Sequence, residues 1–223
     1  MIRPYDYSGI TRGADGILRY DNMHNSLVEM LRATVDQLPN NEAVVELGAE
    51  RASYRQLWDR AARVAGGLKA MGVERGDRIA IQLGNGLQWC VAFWGVQLAG
   101  AIAVPVNTRF AEPEVEYVIN DSGAKFSFKT GEALPDGAPF AIENLQQEEP
   151  SAIFYTSGTT GFPKGAITTH ANFLTNNENC VRVVNLPTDG SVRTLISVPL
   201  FHVTGCNSQF LTCCASGSAS VVM

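Results

Sequence analysis

Apolar runs alternate with amphipathic segments along the 223 residues of the chain, a pattern typical of strands joined by helices. Amphipathic or apolar spacing predicts helices at 26–38, 53–71, 86–99, 112–121, 170–184 and 203–215. Short apolar and β-branched runs predict strands at 43–47, 51–53, 78–83, 101–106, 124–128, 152–155, 166–169, 193–198 and 218–223. Because crossover helices separate most of these strands, we expect an α/β layered domain with a largely parallel sheet flanked by helices.

Local signals mark where several of these elements begin and end. Ser26 is a predicted helix N-cap, and Ser53 forms a capping-box signature with Gln56 three residues later. Gly72 and Gly123 are predicted to end their helices. These signals make the helix boundaries more specific than periodicity alone would.

The segment 130–150 mixes proline, glycine and acidic residues and is predicted to be a surface connector. It divides the chain into a first α/β part, residues 1–129, and a second α/β part, residues 151–223. The second part contains residues 155–166, the segment with the most candidate ligand-binding side chains.

Composition excludes several functional classes. A net charge of −5 with scattered basic residues argues against a nucleic-acid partner. Five cysteines form no pair or set at zinc spacing, which favours a reducing cytoplasm. The apolar run 89–106 is interrupted by Gln97, Gly100 and Pro105, so it predicts a buried helix and strand instead of an integral membrane segment.

Residues 155–166 read YTSGTTGFPKGA and follow a predicted buried strand. Their glycines let backbone N–H groups converge on an anion, their hydroxyls add donors, and one lysine adds a mobile positive charge. The predicted polyphosphate-binding residues are Thr156, Ser157, Gly158, Thr159, Thr160, Gly161 and Lys164. Since a glycine and then a strand follow Lys164, this loop differs from a Walker A loop. A plain polar turn without a ligand would not need the ordered Pro-Lys-Gly.

The motif YTSGTTGFPKGA resembles the phosphate loop of the adenylate-forming superfamily, which comprises acyl- and aryl-CoA synthetases, nonribosomal peptide adenylation domains and beetle luciferases. Residues 199–205, PLFHVTG, resemble the next motif in a form typical of the CoA ligases. Residues 54–107 are similar too, notably GVERGDRIAIQLGN and GAIAVPVN. The resemblance implies the N-terminal part of the large domain of an acyl-CoA synthetase, with ATP, Mg²⁺, coenzyme A and a small carboxylic acid as its ligands.

In the reaction that the resemblance implies, a carboxylate attacks the α-phosphorus of ATP, and the thiol of coenzyme A then displaces AMP. Lys164 and His202 are the predicted catalytic residues. His202 and Thr204 are predicted to bind the substrate, and Thr156 is the predicted Mg²⁺ ligand. A satisfied core histidine is the alternative for His202, whereas His170 is predicted to start a helix.

Members of this superfamily are normally much longer, and the sequence stops within an apolar β-branched run. We therefore expect an N-terminal fragment that forms no acyl-adenylate by itself. An amino-acid adenylation domain that loads a carrier protein and a non-catalytic nucleotide- or partner-binding chain stay open as alternatives. The sequence leaves open which acid is used and whether the protein forms a homodimer.

Overall fold

The computed structural model describes residues 5–156 and 163–223. Its α-helices are α1 (Leu27–Gln37), α2 (Tyr54–Ala70), α3 (Leu87–Leu98), α4 (Glu112–Ser122), α5 (His170–Val184) and α6 (Thr212–Ser216), and a π-helix (Thr204–Leu211) precedes α6. Its strands are β1 (Ile10–Arg12), β2 (Leu18–Tyr20), β3 (Glu42–Glu46), β4 (Arg51–Ser53), β5 (Arg78–Gln82), β6 (Ile102–Pro105), β7 (Ala124–Lys129), β8 (Pro150–Thr156), β9 (Lys164–Thr169), β10 (Arg193–Ile196) and β11 (Ala219–Val222).

Two sheets organise the described residues, apart from the small β1–β2 hairpin. The five-stranded sheet has the order β7-β5-β6-β8-β9 and is parallel except where β9 pairs with β8. The four-stranded sheet has the order β10-β11-β3-β4 and is parallel except where β4 pairs with β3. The predicted α/β architecture is therefore confirmed, but its strands form two largely parallel sheets where one was predicted. Both sheets combine strands from either side of residues 130–150.

The predicted helix starts are made by side-chain caps. The Ser26 hydroxyl accepts a hydrogen bond from the Glu29 N–H at 3.2 Å, which begins α1. At the start of α2 the Ser53 hydroxyl accepts from the Gln56 N–H at 3.2 Å, and the Gln56 side chain accepts from the Ser53 N–H at 2.9 Å. Gly123 ends α4 in the left-handed conformation, with φ of 62°. These caps satisfy backbone groups that a helix end leaves without partners.

The core is centred on α3, in which every residue except Gln88 is buried. Trp89 stacks on Phe93 with ring centroids 5.3 Å apart, and both rings meet Phe210 of the π-helix edge-on. The buried helix and strand predicted from the apolar run 89–106 are confirmed as α3 and β6. None of the helices in residues 5–156 and 163–223 has the length and apolar character needed to cross a membrane.

Gln97, the polar residue within α3, is matched by a polar partner in the core. Its amide N–H donates to the Ser151 carbonyl at 3.0 Å, and the Ser151 hydroxyl donates to the Gln97 amide oxygen at 2.7 Å. A buried amide is stable only when its donors and acceptors are satisfied. This paired contact joins α3 to β8 a few residues before the phosphate-loop motif.

Two segments differ from the sequence prediction. Strand β10 ends at Ile196 instead of residue 198, where its pairing with β11 ends; the Val198 carbonyl and the Leu200 N–H bond instead to the side chain of Asn85. Residues 203–215 are helical, but most of them form a wider π-helix before α6. Apolar periodicity cannot distinguish these two kinds of helix over so short a segment.

Residues 130–150 contain no helix and only the first residue of β8. The segment nevertheless runs along α2 and α3 as a packed strap. The Phe140 N–H donates to the Ala62 carbonyl at 2.9 Å, and the Ile142 N–H donates to the Leu98 carbonyl at 2.8 Å. These bonds to helix backbones explain how an irregular segment keeps a fixed path.

Candidate functional site

A pocket of about 210 Å³ lies where strands of both sheets end, and we call it the sheet-edge pocket. Three segments line it: Pro105, Asn107 and Phe110 at and after the end of β6, Phe154, Tyr155 and Thr156 in β8, and Phe201, His202 and Val203 after β10. The carboxyl ends of parallel strands are the usual location of ligands in such sheets. The start of the phosphate-loop motif at Tyr155 and Thr156 and the His202 segment both lie at this edge.

One wall of the pocket is formed by β8 of the β8–β9 hairpin, and this hairpin contains the two ends of the phosphate-loop motif. Thr156 is paired with Lys164 across the two antiparallel strands, and both residues are exposed. The hairpin therefore brings a hydroxyl and a positive charge to neighbouring positions at the edge of the sheet. The predicted phosphate ligands Ser157, Gly158, Thr159, Thr160 and Gly161 lie outside the described residues.

The glycine after Lys164 is favoured by close packing. A Cβ atom on Gly165 would lie 2.9 Å from Ile153 Cγ2 and 3.0 Å from Tyr155 Cζ, which is closer than carbon atoms approach without a shift. The Tyr155 hydroxyl in turn donates to Asp121 Oδ2 at 2.6 Å, which ties β8 to α4. Burial and the nearby Asp121 carboxylate raise the pKa of Tyr155, so its hydroxyl stays a hydrogen-bond donor at neutral pH.

The opposite wall is the segment after β10. The His202 N–H donates to the Pro199 carbonyl at 3.0 Å, which closes a turn, and the Thr204 N–H donates to His202 Nδ1 at 3.2 Å. An imidazole that accepts at Nδ1 carries its proton at Nε2, so that nitrogen can donate to an anionic or carbonyl oxygen. His202 is exposed and lines the pocket, so the alternative of a core histidine is wrong.

Thr204 has a different position from the one its predicted role suggests. It is exposed, it is not among the residues that line the pocket, and its N–H is used by His202. Its part in substrate binding stays a prediction, as do the catalytic roles of Lys164 and His202. The geometry brings Thr156 and His202 to one pocket and places Lys164 directly beside Thr156.

Sequence reasoning missed the residue that ties the segment after β10 to the five-stranded sheet. Asn85, which follows β5, donates from its amide Nδ2 to the Val198 carbonyl at 3.3 Å and accepts at Oδ1 from the Leu200 N–H at 2.8 Å. Gly205 was missed as well. A larger residue does not fit there, since a Cβ atom would lie 2.4 Å from the Pro199 carbonyl oxygen. Asn85 ends the GVERGDRIAIQLGN segment, but no local pattern in that segment predicts a partner more than a hundred residues away.

His170 has the structural role that was predicted for it. It is buried at the first position of α5, and its Nδ1 accepts from the Leu27 N–H at 3.3 Å. Burial lowers the pKa of His170 to about 4, so the imidazole is neutral at neutral pH. The contact anchors the end of β9 to the start of α1.

No group of three or more His, Cys, Asp or Glu side chains in the described residues could hold a metal ion. Mg²⁺ bound with a nucleotide needs few protein ligands, because phosphate oxygens and water fill most of its coordination positions. The exposed Thr156 hydroxyl fits one such position, whereas the Asp121 carboxylate already accepts from Tyr155. Thr156 as a Mg²⁺ ligand stays a prediction.

The fold and the site together define the class of protein. A model of the family described as AMP-binding enzyme matches residues 31–139 and 129–223, and this chain belongs to that family. The result confirms the resemblance that the phosphate-loop motif suggested.

The relatives that the chain resembles include CoA ligases of this family. The chain is 32% identical to the long-chain-fatty-acid–CoA ligase FadD13 of Mycobacterium tuberculosis over 205 residues, which cover 78% of this chain and 40% of that protein. It is 34% identical to a feruloyl-CoA synthase of Amycolatopsis sp. over 178 residues, which cover 71% of this chain and 36% of that protein. The chain thus spans about 40% of the length of these curated relatives.

A solved structure shares the fold. The o-succinylbenzoate CoA synthetase MenE from Bacillus subtilis, in complex with the acyl-adenylate intermediate OSB-AMP, matches with a TM-score of 0.76 and 27% identity. The match covers 87% of this chain and 55% of that chain. The arrangement of sheets and helices described above is therefore the one that this synthetase uses in the matched part.

Proposed function

We propose that this chain carries the phosphate-binding wall and the carboxylate-binding wall of an ATP-dependent acyl- or aryl-CoA synthetase. In the proposed reaction a substrate carboxylate oxygen attacks the α-phosphorus of ATP, and pyrophosphate leaves with the electrons of the broken P–O bond. The thiol of coenzyme A then attacks the acyl carbon, and AMP leaves. The observation that carries the proposal is that Thr156 and His202 share one pocket while Lys164 is paired with Thr156.

The hairpin wall suits the pyrophosphate part of ATP. Negative charge grows on the leaving group during the first step, so a cation and hydroxyl donors beside it stabilise the transition state more than the ground state. Lys164 and Thr156 are exposed at adjacent positions where they can make such contacts without rearranging the core. Mg²⁺ bound to the phosphates would supply further charge neutralisation.

The His202 wall suits the carboxylate part. Its Nε2–H can donate to a carboxylate oxygen, and the aromatic side chains of Phe154 and Phe201 provide an apolar lining beside it. An apolar lining with one polar donor is the arrangement expected for an organic acid whose carboxylate points to the ATP. The names of the relatives, a fatty-acid CoA ligase and a feruloyl-CoA synthase, support coenzyme A as the acceptor and an acyl or aryl acid as the substrate.

Binding of Mg-ATP to the purified chain, measured by isothermal titration calorimetry, tests the proposal. Binding is the appropriate measurement because the chain spans only about 40% of the length of its relatives. We expect Lys164→Ala to weaken Mg-ATP binding about tenfold or more, since a hydrogen bond to a charged group contributes about 1.5–3 kcal/mol.

Lys129→Ala is the matched control. Lys129 is also exposed and ends β7, which lies at the opposite edge of the same sheet from β9. We expect this variant to bind Mg-ATP within about twofold of the original chain. The proposal fails if the original chain does not bind Mg-ATP, or if Lys164→Ala binds it as tightly as Lys129→Ala does.

A further inference from the structure

We propose that Asn85 is a positioning residue that fixes the His202 wall against the hairpin wall of the sheet-edge pocket. The proposal rests on the proposed function for its relevance to substrate, but its geometry stands independently. Asn85 is not among the residues that line the pocket, so it would act through the segment it holds.

Asn85 contacts the segment after β10 through two hydrogen bonds, and both are directional. Its amide donates to the Val198 carbonyl and accepts from the Leu200 N–H, so it brackets Pro199 from both sides. One hydrogen bond would leave the segment free to rotate about it, whereas two bonds from one planar amide fix its position and its orientation. Pro199 has no N–H of its own, and its carbonyl accepts from His202. The two hydrogen bonds of Asn85 therefore hold the residues on either side of Pro199, whose carbonyl closes the turn that contains His202.

The contact also joins the two sheets. Asn85 follows β5 of the five-stranded sheet, which supplies the hairpin wall, and Val198 follows β10 of the four-stranded sheet, which supplies the His202 wall. Among residues 5–156 and 163–223, both hydrogen bonds that reach 197–203 from the five-stranded sheet or its loops come from Asn85. Leu200 is fully buried, but apolar packing is non-directional and does not set the orientation of a turn.

A purely structural role for Asn85 predicts something different. If Asn85 only stabilised the loop after β5, its removal would loosen that loop and leave the imidazole of His202 unchanged. If it positions the wall, its removal changes the environment of His202 while the hairpin and its lysine keep theirs. The two cases therefore differ in what happens at His202.

The test uses ¹⁵N-labelled chain and the variants Asn85→Ala and Asn85→Asp, with Gln88→Ala as the control. Gln88 is matched because its exposed amide donates to a backbone carbonyl, that of Glu132 at 2.8 Å, on a part of α3 that does not line the pocket. We measure hydrogen exchange at the Leu200 amide, the ¹⁵N resonances of the His202 imidazole, and Mg-ATP affinity by calorimetry.

For Asn85→Ala we expect exchange at Leu200 to be at least about tenfold faster than in Gln88→Ala, because its acceptor is lost. The His202 imidazole resonances should shift, and Mg-ATP affinity should stay within about twofold of the original chain. Asn85→Asp keeps an acceptor for Leu200 and loses the donor to Val198, so it should restore protection at Leu200 and shift His202 less.

Unchanged exchange at Leu200 would overturn the proposal, and so would faster exchange with unchanged His202 resonances. Resonance shifts spread over the whole chain would also overturn it, since they would indicate a general loss of stability. Failure of the original chain to bind Mg-ATP would contradict the proposed function only. The exchange and imidazole measurements would still decide the role of Asn85.

Discussion

The two walls of the sheet-edge pocket are built in opposite ways. The hairpin wall is local in sequence: β8 and β9 are consecutive strands, and their register places Lys164 beside Thr156. The His202 wall depends on distant residues, because Asn85 holds Val198 and Leu200 from another sheet. A wall set by neighbouring residues can be recognised from a motif, whereas a wall set by remote contacts needs the folded structure.

This difference has a consequence for stability. Strand pairing distributes the stabilisation of the hairpin wall over many backbone hydrogen bonds, so single substitutions there should change ligand contacts more than folding. The His202 wall depends on a close approach at Gly205 and on the side chain of Asn85. We therefore expect single substitutions at such positions to be more damaging.

The largest effect is expected at Gly205. Its backbone has no positive φ, so alanine is allowed by conformation, but the new Cβ would lie 2.4 Å from the Pro199 carbonyl oxygen and 2.8 Å from that of Val198. Gly205→Ala should lower the free energy of unfolding by about 2–3 kcal/mol, because overpacking forces the backbone of the turn to move. Urea denaturation followed by tryptophan fluorescence measures this change.

Gly84→Ala is the matched control for Gly205→Ala. A Cβ atom at Gly84 would meet nothing within 4 Å, and Gly84 also has no positive φ. We expect its free energy of unfolding to change by less than about 0.5 kcal/mol. Equal effects of the two substitutions would contradict the idea that a close approach holds the His202 wall.

A smaller effect is expected at the base of the hairpin wall, where His170 accepts from the Leu27 N–H. Burial lowers the pKa of this imidazole to about 4, whereas it is about 6.5 in the unfolded chain. Between these values the unfolded state binds more protons, so the stabilising contribution is present above about pH 6.5 and is lost as the pH falls toward 4. The loss attributable to His170 between pH 7 and pH 4.5 should be about 2 kcal/mol.

Urea denaturation of His170→Gln at the two pH values isolates this contribution from that of the carboxylates. The variant should lose less stability on acidification than the original chain does. His24→Gln is the control, because it makes the same substitution at an exposed histidine. Identical pH dependence in all three proteins would show that His170 does not titrate as its burial implies.

Much of the fold could be predicted because the signals that set it are local. The caps at Ser26 and Ser53 and the stop at Gly123 fixed helix ends that the structure confirms. The end of β10 and the π-helix were mispredicted, because each depends on contacts that periodicity does not contain. The β1–β2 hairpin had no sequence prediction, since its three-residue strands are too short to show a period.

The residues of the candidate site also differ in whether a local pattern in the sequence identifies them. Lys164 and Thr156 were recognisable from the loop motif, and His202 from the segment PLFHVTG. Asn85 was not recognisable, because a single asparagine after a strand is common in loops and its partners lie 113 and 115 residues later in the chain. Residues that bind a ligand leave a local pattern, whereas residues that position them through the fold do not.

We propose that the two walls form one site for a nucleotide phosphate and a carboxylate. Titration of ¹⁵N-labelled chain with Mg-ATP, followed by two-dimensional NMR, shows whether both walls respond to one ligand. We expect saturable shifts at Lys164 and Gly165 on one wall and at His202 and Val203 on the other, with one common dissociation constant. Shifts confined to residues away from the sheet-edge pocket, or no saturable shifts, would contradict it.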